Sequence, residues 1–238
     1  MIVHLRRFYI YLCIAALVLL LNTSNSGEAA GSTCSGIACA YLPLVYNPIP
    51  VRVSAIQKQV SRADTFRFLG EVMTTTDRPV YEVIVEVKVY DLGGNLLGTC
   101  SSSPVLAATL PGQSNPFECG INVPYVSSTY EAFPTHWSLE SEQVYRPATA
   151  VITDTEDIPL YGTWVYVEAR NDEIEPLADV SAVVWSLHQD WGITPRSIAD
   201  CLAPGETVAF TEFLRGVSGG NVATIQVAAQ GVLSPCTP

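Results

Sequence analysis

Basic side chains are scarce in this sequence: 12 lysines and arginines face 23 aspartates and glutamates over 238 residues, a formal net charge of −11. Nucleic acid is thereby excluded as a partner, because holding a phosphate backbone takes a basic surface. Anionic lipid headgroups are excluded on the same ground. Histidine is scarcer still, at three residues, and a lone histidine such as His136 makes no metal site. Ser186, close to His188 and Asp190, lacks the flanking glycines of a serine elbow, no phosphate-loop glycine pattern occurs, and no DxDxDG loop is present. The cysteines do not form the paired CxxC knuckles of a zinc site. No catalytic residue, cofactor or metal is therefore expected. No window holds a sustained helical period, and past Leu21 no apolar run is long enough to cross a bilayer.

What is present begins with a leader. Arg6 and Arg7 precede an apolar run from Phe8 to Leu21, followed by polar residues 22–27 and the small Ala29 and Ala30. This is the layout of a secretory signal peptide over residues 1–30. The run falls short of the roughly 20 residues that a spanning helix needs, which points to cleavage near Ala29 or Ala30, with retention as an anchor the alternative. Leu12 stands where a lipid-attachment site at Cys13 would need a small residue. Loss of 1–30 removes two basic residues and Glu28 and leaves the chain acidic, which suits a soluble exported protein with no further membrane insertion. Residues 31–50, GSTCSGIACAYLPLVYNPIP, read as a proline- and cysteine-containing linker.

Beyond the leader stand Cys34, Cys39, Cys100, Cys119, Cys201 and Cys236, an even set that in an exported chain implies disulfides. Six cysteines allow 15 connectivities. Neighbourhood in sequence suggests Cys34 with Cys39, Cys100 with Cys119, and Cys201 with Cys236.

The rest of the chain is strand-like, with valine, threonine, tyrosine and isoleucine alternating with polar residues between glycine, proline, asparagine and aspartate breaks. In VIVEVKVYDLGGNLLGTC at 83–100, the two-residue period sets Tyr81, Val83, Val85, Val87 and Val89 on one face. Glu82, Ile84, Glu86, Lys88 and Tyr90 take the other, wet, face. Asp91, Gly93, Gly94 and Asn95 provide a tight reversal before Leu96 and Leu97, so the stretch is a hairpin. The pattern returns: GEVMTTTDRPVYEV at 70–83 aligns with VEARNDEIEPLADV at 167–180, and LPGQSNPF at 110–117 with APGETVAF at 203–210. Two blocks in the same order indicate an internal duplication. Each unit has the size of a small β-sandwich.

GEVMTTTDRPVYEVIVEVKVYDLGGNLLGT followed by LPGQSNPF resembles the FxLYD family, with its GxV opening strand, aromatic-Asp turn before glycine, and later PGxxxxF strand. Val87, Val89, Tyr90 and Asp91 fall on the name motif, and in the second unit Leu187 and His188 stand in place of Tyr90 and Asp91. The resemblance implies an all-β chain of two tandem immunoglobulin-like sandwiches, at 51–145 and, in a divergent copy, at 146–238. It also implies export from a bacterium and no catalytic residues.

Asp91 reads as a turn cap rather than a base. The acidic groups Asp154, Glu156, Asp157 and Asp172, Glu173, Glu175 read as solvated loop charge rather than calcium ligands. Ser101 to Ser103 read as a bend between strands. Trp164, Trp185 and Tyr166 are expected in packing, and Trp191, beside Gly192, is the one tryptophan expected to be exposed. The chain thus reads as a non-enzymatic exported binding, adhesion or spacer protein of the bacterial cell envelope or exterior, with a protein or glycan ligand. The alternative is a carbohydrate-binding sandwich using Trp191 and neighbouring aromatics; a hydrolase acting through His188 or Asp190 is the third reading. Closing a loop of about 20 residues between Cys100 and Cys119 contributes on the order of 3 kcal/mol. Reduction is accordingly expected to lower the urea midpoint sharply, and an unchanged midpoint in excess reductant would remove the disulfides from the account.

Overall fold

Valine-rich alternation with no helical period predicts sheets, and sheets are what form. The computed structural model describes residues 49–62, 65–123, 128–187, 192–217 and 224–236. Among these lie thirteen strands and no α-helix. The first seven are β1 (Val51–Arg62), β2 (Thr65–Thr74), β3 (Val80–Asp91), β4 (Leu96–Ser102), β5 (Ala108–Thr109), β6 (Asn115–Asn122) and β7 (Ser128–Ser138). The remaining six are β8 (Tyr145–Ile158), β9 (Gly162–Arg170), β10 (Leu177–Ser186), β11 (Gly192–Leu202), β12 (Thr207–Arg215) and β13 (Ile225–Leu233).

All pairings are antiparallel. One sheet runs β1-β2-β6; a second has β3 between β4 and β7, with the short β5 also on β3. The other six strands join in the order β11-β10-β13-β8-β9-β12. Strand β8 carries this sheet around a corner: its first residues, Tyr145 to Ala148, pair with β13, and Thr149 to Ile158 pair with β9. The same scheme therefore occurs twice. The pairs β1-β2, β2-β6, β3-β4 and β3-β7 correspond to β8-β9, β9-β12, β10-β11 and β10-β13.

Each set of strands encloses its own apolar core. Phe66, Phe68, Val72, Phe117 and Cys119 of β2 and β6 meet Val80, Val83, Val85, Val87 and Val89 of β3. Val165, Val167, Ala169, Phe210 and Leu214 of β9 and β12 meet Leu177, Val180, Ala182 and Val184 of β10. Face-to-face burial of this kind is the packing of a β-sandwich.

One detail departs from simple alternation, and it does so in both sets. Glu82 and Asp179, 97 positions apart, are non-glycine residues with left-handed φ of 50° and 48°. Each sits where the pairing with the neighbouring strand slips, between Tyr81 and Ile84 and between Ala178 and Ser181. A bulge adds one residue and flips the face that follows. Val80 consequently joins the core in place of Tyr81, just as Leu177 does in the second set. Tyr81 leaves the valine face and instead approaches Tyr145, with ring centroids 6.2 Å apart. The PG turns also match. Gln113 N–H donates to Leu110 O (3.1 Å) and Glu206 N–H to Ala203 O (3.0 Å), with Gly112 and Gly205 at φ 75° and 76°, where glycine avoids the strain any other residue would carry.

Two disulfides are present among the described residues. Cys100–Cys119 joins β4 to β6 and so ties the two sheets of the first set together (Cα–Cα 6.0 Å). Cys201–Cys236 joins β11 to the segment after β13 (Cα–Cα 5.7 Å). They are two of the three pairs that sequence neighbourhood suggests; Cys34 and Cys39 lie outside the described residues. Ser101 and Ser102 are not a bend: they complete β4 opposite Glu86 and Val85.

Residues 48–238 form one compact body, because the two sets share a buried junction. Glu71 points out of β2, away from its own core, and is only 6% exposed. Its Oε1 accepts from Trp185 Nε1 of β10 (2.8 Å) and from Gln226 Nε2 of β13 (2.7 Å). Around it, Leu106 packs with Val183, Trp185 and Ala228. Gln113 Nε2 donates to Ala229 O (3.0 Å). Gln230 donates to Ala108 O (3.0 Å) and accepts from the Ala107 and Ala108 N–H groups (2.9 and 3.1 Å). Asn115, itself buried, holds the 106–109 loop in place through Leu106 and Ala108. Removing the Glu71 carboxylate would leave the buried Trp185 Nε1 without its acceptor, while the exposed Gln226 amide can turn to water, which together costs about 2 kcal/mol. Glu71→Ala is expected to lose about that much in urea unfolding, and Glu71→Gln, which keeps an acceptor oxygen, markedly less; equal losses would show that the shared acceptor does not hold the junction.

Candidate functional site

The junction covers the outer faces of β2, β10 and β13, so the outer faces left open among the described residues are those of β3-β4-β7 and of β8-β9-β12. The first is charged and internally compensated. Lys88 lies 3.3 Å from Glu86 and 4.7 Å from the Phe133 ring centroid, and Tyr90 OH donates to Glu131, which raises the phenol above its usual range.

The second is aromatic. Strand β9, GTWVYVEAR, is apolar on both sides: Val165, Val167 and Ala169 go into the core, which leaves Trp164, Tyr166 and Glu168 facing out. The register places Glu156, Trp164 and Phe213 in one row across the sheet, Asp154, Tyr166 and Thr211 in the next, and Glu168 beside Val151 and Ala209 in a third. Trp164 is 39% exposed and packs against Phe213 at a ring separation of 4.9 Å. Tyr166 OH donates to Glu156 Oε2 (3.1 Å), and this bond to a carboxylate raises the phenol above its usual range. Asp154 Oδ1 accepts from Thr155 N–H (2.8 Å).

The β8-β9 turn extends this face. Tyr161 N–H donates to Ile158 O (3.0 Å) around Pro159 and Leu160, and Leu160 has φ 71°. Such a turn calls for glycine at that position. Leucine there is strained and is 96% exposed, and Tyr161 beside it is 69% exposed. Gly162 lets the turn lie against β12: a Cβ at that position would come within 2.2 Å of Leu214 O. Gly216 N–H closes the contact on Tyr161 O (2.9 Å). Ile158, Leu160, Tyr161, Trp164, Phe213 and Arg215 line an open depression of about 630 Å³. Flat aromatic area with carboxylates beside it can stack and hydrogen-bond a ligand.

Of the two tryptophans expected in packing, only Trp185 is buried. Trp185 is buried in the junction and Trp164 is exposed; Trp191, expected to be the exposed one, lies outside the described residues, as do His188, Gln189 and Asp190. Ser186 is fully buried and shares a hydrogen bond with Thr224 Oγ1 (2.8 Å). His136 sits exposed on the sheet edge, 3.7 Å from Glu82. Asp172 pairs with Arg170 (2.9 Å), and the loop behind it hangs on buried Asn171, which bonds Glu175 O and Leu202 O. Among the described residues no three His, Cys, Asp or Glu side chains gather as a metal site. Leu160, Tyr161 and Phe213 were not singled out from the sequence. The signal for Leu160 and Tyr161 is PLYG, a turn whose central positions are apolar where turns are ordinarily polar; Phe213 has no such local signal.

Asp91 is a turn cap. Its Oδ1 accepts from Asn95 N–H (2.8 Å) and its Oδ2 from Asn95 Nδ2 (2.9 Å). Hydrogen bonding from the Asn95 side chain, and then from its backbone, lowers the Asp91 pKa below its ordinary value. A lowered folded-state pKa means the stabilisation is present above the unfolded pKa and is lost as pH falls through the folded one. Asp91→Ala is therefore expected to be less stable than the wild type at neutral pH, with the difference shrinking as pH drops below the ordinary aspartate range. A difference independent of pH in urea titrations would contradict the ionised cap.

No family model matches the chain, and no curated protein does. Among solved structures the chain is similar to the crystal structure of red sea bream transglutaminase, with 12% identity and a TM-score of 0.24 over 77% of this chain. It spans 29% of that chain, and the likeness carries no inference about fold or activity.

Proposed function

We propose that this is a non-enzymatic exported protein of two tandem immunoglobulin-like sandwich units, 51–145 and 146–238. It acts as a binding or adhesion module, or a spacer, in the cell envelope or outside a bacterial cell. The repeated strand pairing, the matching bulges at Glu82 and Asp179 and the matching PG turns support the tandem reading. Two disulfides support export. The observation that carries the binding reading is the outer face of β8-β9-β12. A monomeric surface rarely gathers a tryptophan, a phenylalanine, a tyrosine and a strained, solvent-facing leucine unless something contacts them. The junction sets that face on a body whose halves do not hinge freely, which lowers the entropy lost on binding.

The ligand is a protein or a glycan, and a carbohydrate-binding sandwich is the second reading, favoured by the carboxylates that flank Trp164. Labelled protein is expected to be retained on intact cells of the producing organism, and Trp164→Ala with Leu160→Gly to lose about tenfold in retention while keeping the wild-type melting temperature. Equal retention would take this face out of the reading. Turnover of ester, peptide or glycoside substrates by the purified protein would overturn its non-enzymatic part.

A further inference from the structure

We infer that the β8-β9-β12 face takes a neutral, hydroxyl-rich sugar chain, an inference that rests on this face being the binding surface. Apart from the Thr211 hydroxyl, the described side chains across its first two rows offer ring faces and acceptors. Trp164 and Phe213 supply apolar area, while Glu156 and Asp154 supply carboxylate oxygens one strand away. Tyr166 gives its single proton to Glu156, so its remaining capacity is that of an acceptor. A fitting ligand must therefore bring an apolar ring face together with several donors. A pyranose does both: its axial C–H face stacks on an indole and its hydroxyls donate to carboxylates.

Other occupants fit less well. An anionic polymer or lipid surface meets Asp154, Glu156 and Glu168 on this face and a chain of net charge −11. A second copy docking on the same face by a twofold axis sets those carboxylates against themselves. Its β3-β4-β7 face brings Glu86 and Glu131 instead, with Lys88 already held by Glu86 and Phe133, so that Glu131 meets like charge. The exposed turn tip, Leu160 with Tyr161, then serves as the wall at one end of the row, with Arg215 a donor beside it.

The test is retention of the purified protein on insoluble cellulose, chitin and xylan, with polygalacturonate as the anionic comparison and sedimentation velocity on the same samples. Retention is expected on at least one neutral polymer and weaker on polygalacturonate. It should fall about tenfold for Trp164→Ala and severalfold for Glu156→Gln, both surface changes, and stay unchanged for Lys88→Ala on the opposite face. No retention on any neutral polymer, or retention that Trp164→Ala leaves intact, would overturn the inference. So would self-association that depends on Trp164, or retention on phosphatidylcholine vesicles in place of the polymers. Should cell retention depend on Trp164 while all three polymers fail, the sugar is wrong and the binding face stands; should cell retention be indifferent to Trp164, the face itself is wrong.

Discussion

A single carboxylate decides how the rest of this molecule is presented. Glu71 stands on the outward side of β2, where an isolated sandwich would leave it in water, yet it is buried and accepts from both Trp185 and Gln226. A buried acceptor with two donors is stable only while both donors stay, so the contact fixes β10 and β13 against β2 in one arrangement. The surrounding apolar contact of Leu106 with Val183, Trp185 and Ala228 adds area without direction; the hydrogen bonds add the direction. Which sheet faces remain available to a ligand follows from that geometry.

The two sets of strands share a scheme but not its use. Both have the left-handed bulge early in the third long strand and the proline-glycine turn before the strand bearing Phe117 or Phe210. The first inserts β5 and its loop between β4 and β6, and that loop reaches the other set through Leu106, Ala107 and Ala108. The corresponding connection from Leu202 to Thr207 is a bare turn. The disulfides diverge accordingly, one crossing between sheets and the other securing the chain after β13.

Much of this was legible in the residues. The 83–100 hairpin, its buried valines and its Asp91 cap follow from period and turn chemistry, because those are local properties. The repeat was legible because the bulge and the turn demand particular residues at fixed spacing. What failed is where local pattern is silent. Tyr81 alternates correctly with Val83, but the bulge at Glu82 shifts the phase, and glutamate does not advertise a left-handed residue as glycine would. Trp164 and Tyr166 do share a face, as the period says; with Val165 and Val167 apolar as well, the period cannot say which face meets the core. The role of Glu71 is invisible in principle, since its partners lie 114 and 155 positions away.

The repeat also bears on whether the open aromatic face can take another copy of the junction. At the spacing of 97 that relates Glu82 to Asp179, Glu71 corresponds to Glu168 and Trp185 to Lys88. The outer face of β8-β9-β12 is thus the counterpart of the face that the first set buries. The outer face of β3-β4-β7 is likewise the counterpart of the one that buries it. In the junction the second of these faces offers Trp185 and Gln226, both neutral donors; its counterpart offers Lys88, already paired with Glu86, and Glu131 across from it on β7. Glu131 brought toward Glu168 is a like-charge contact, and Lys88 would have to leave Glu86 and Phe133 to relieve it. The strand pairing is common to both halves, but the chemistry of the junction is present on one pair of faces only. The aromatic rows around Trp164 are left to a ligand that supplies hydrogen-bond donors without bringing negative charge.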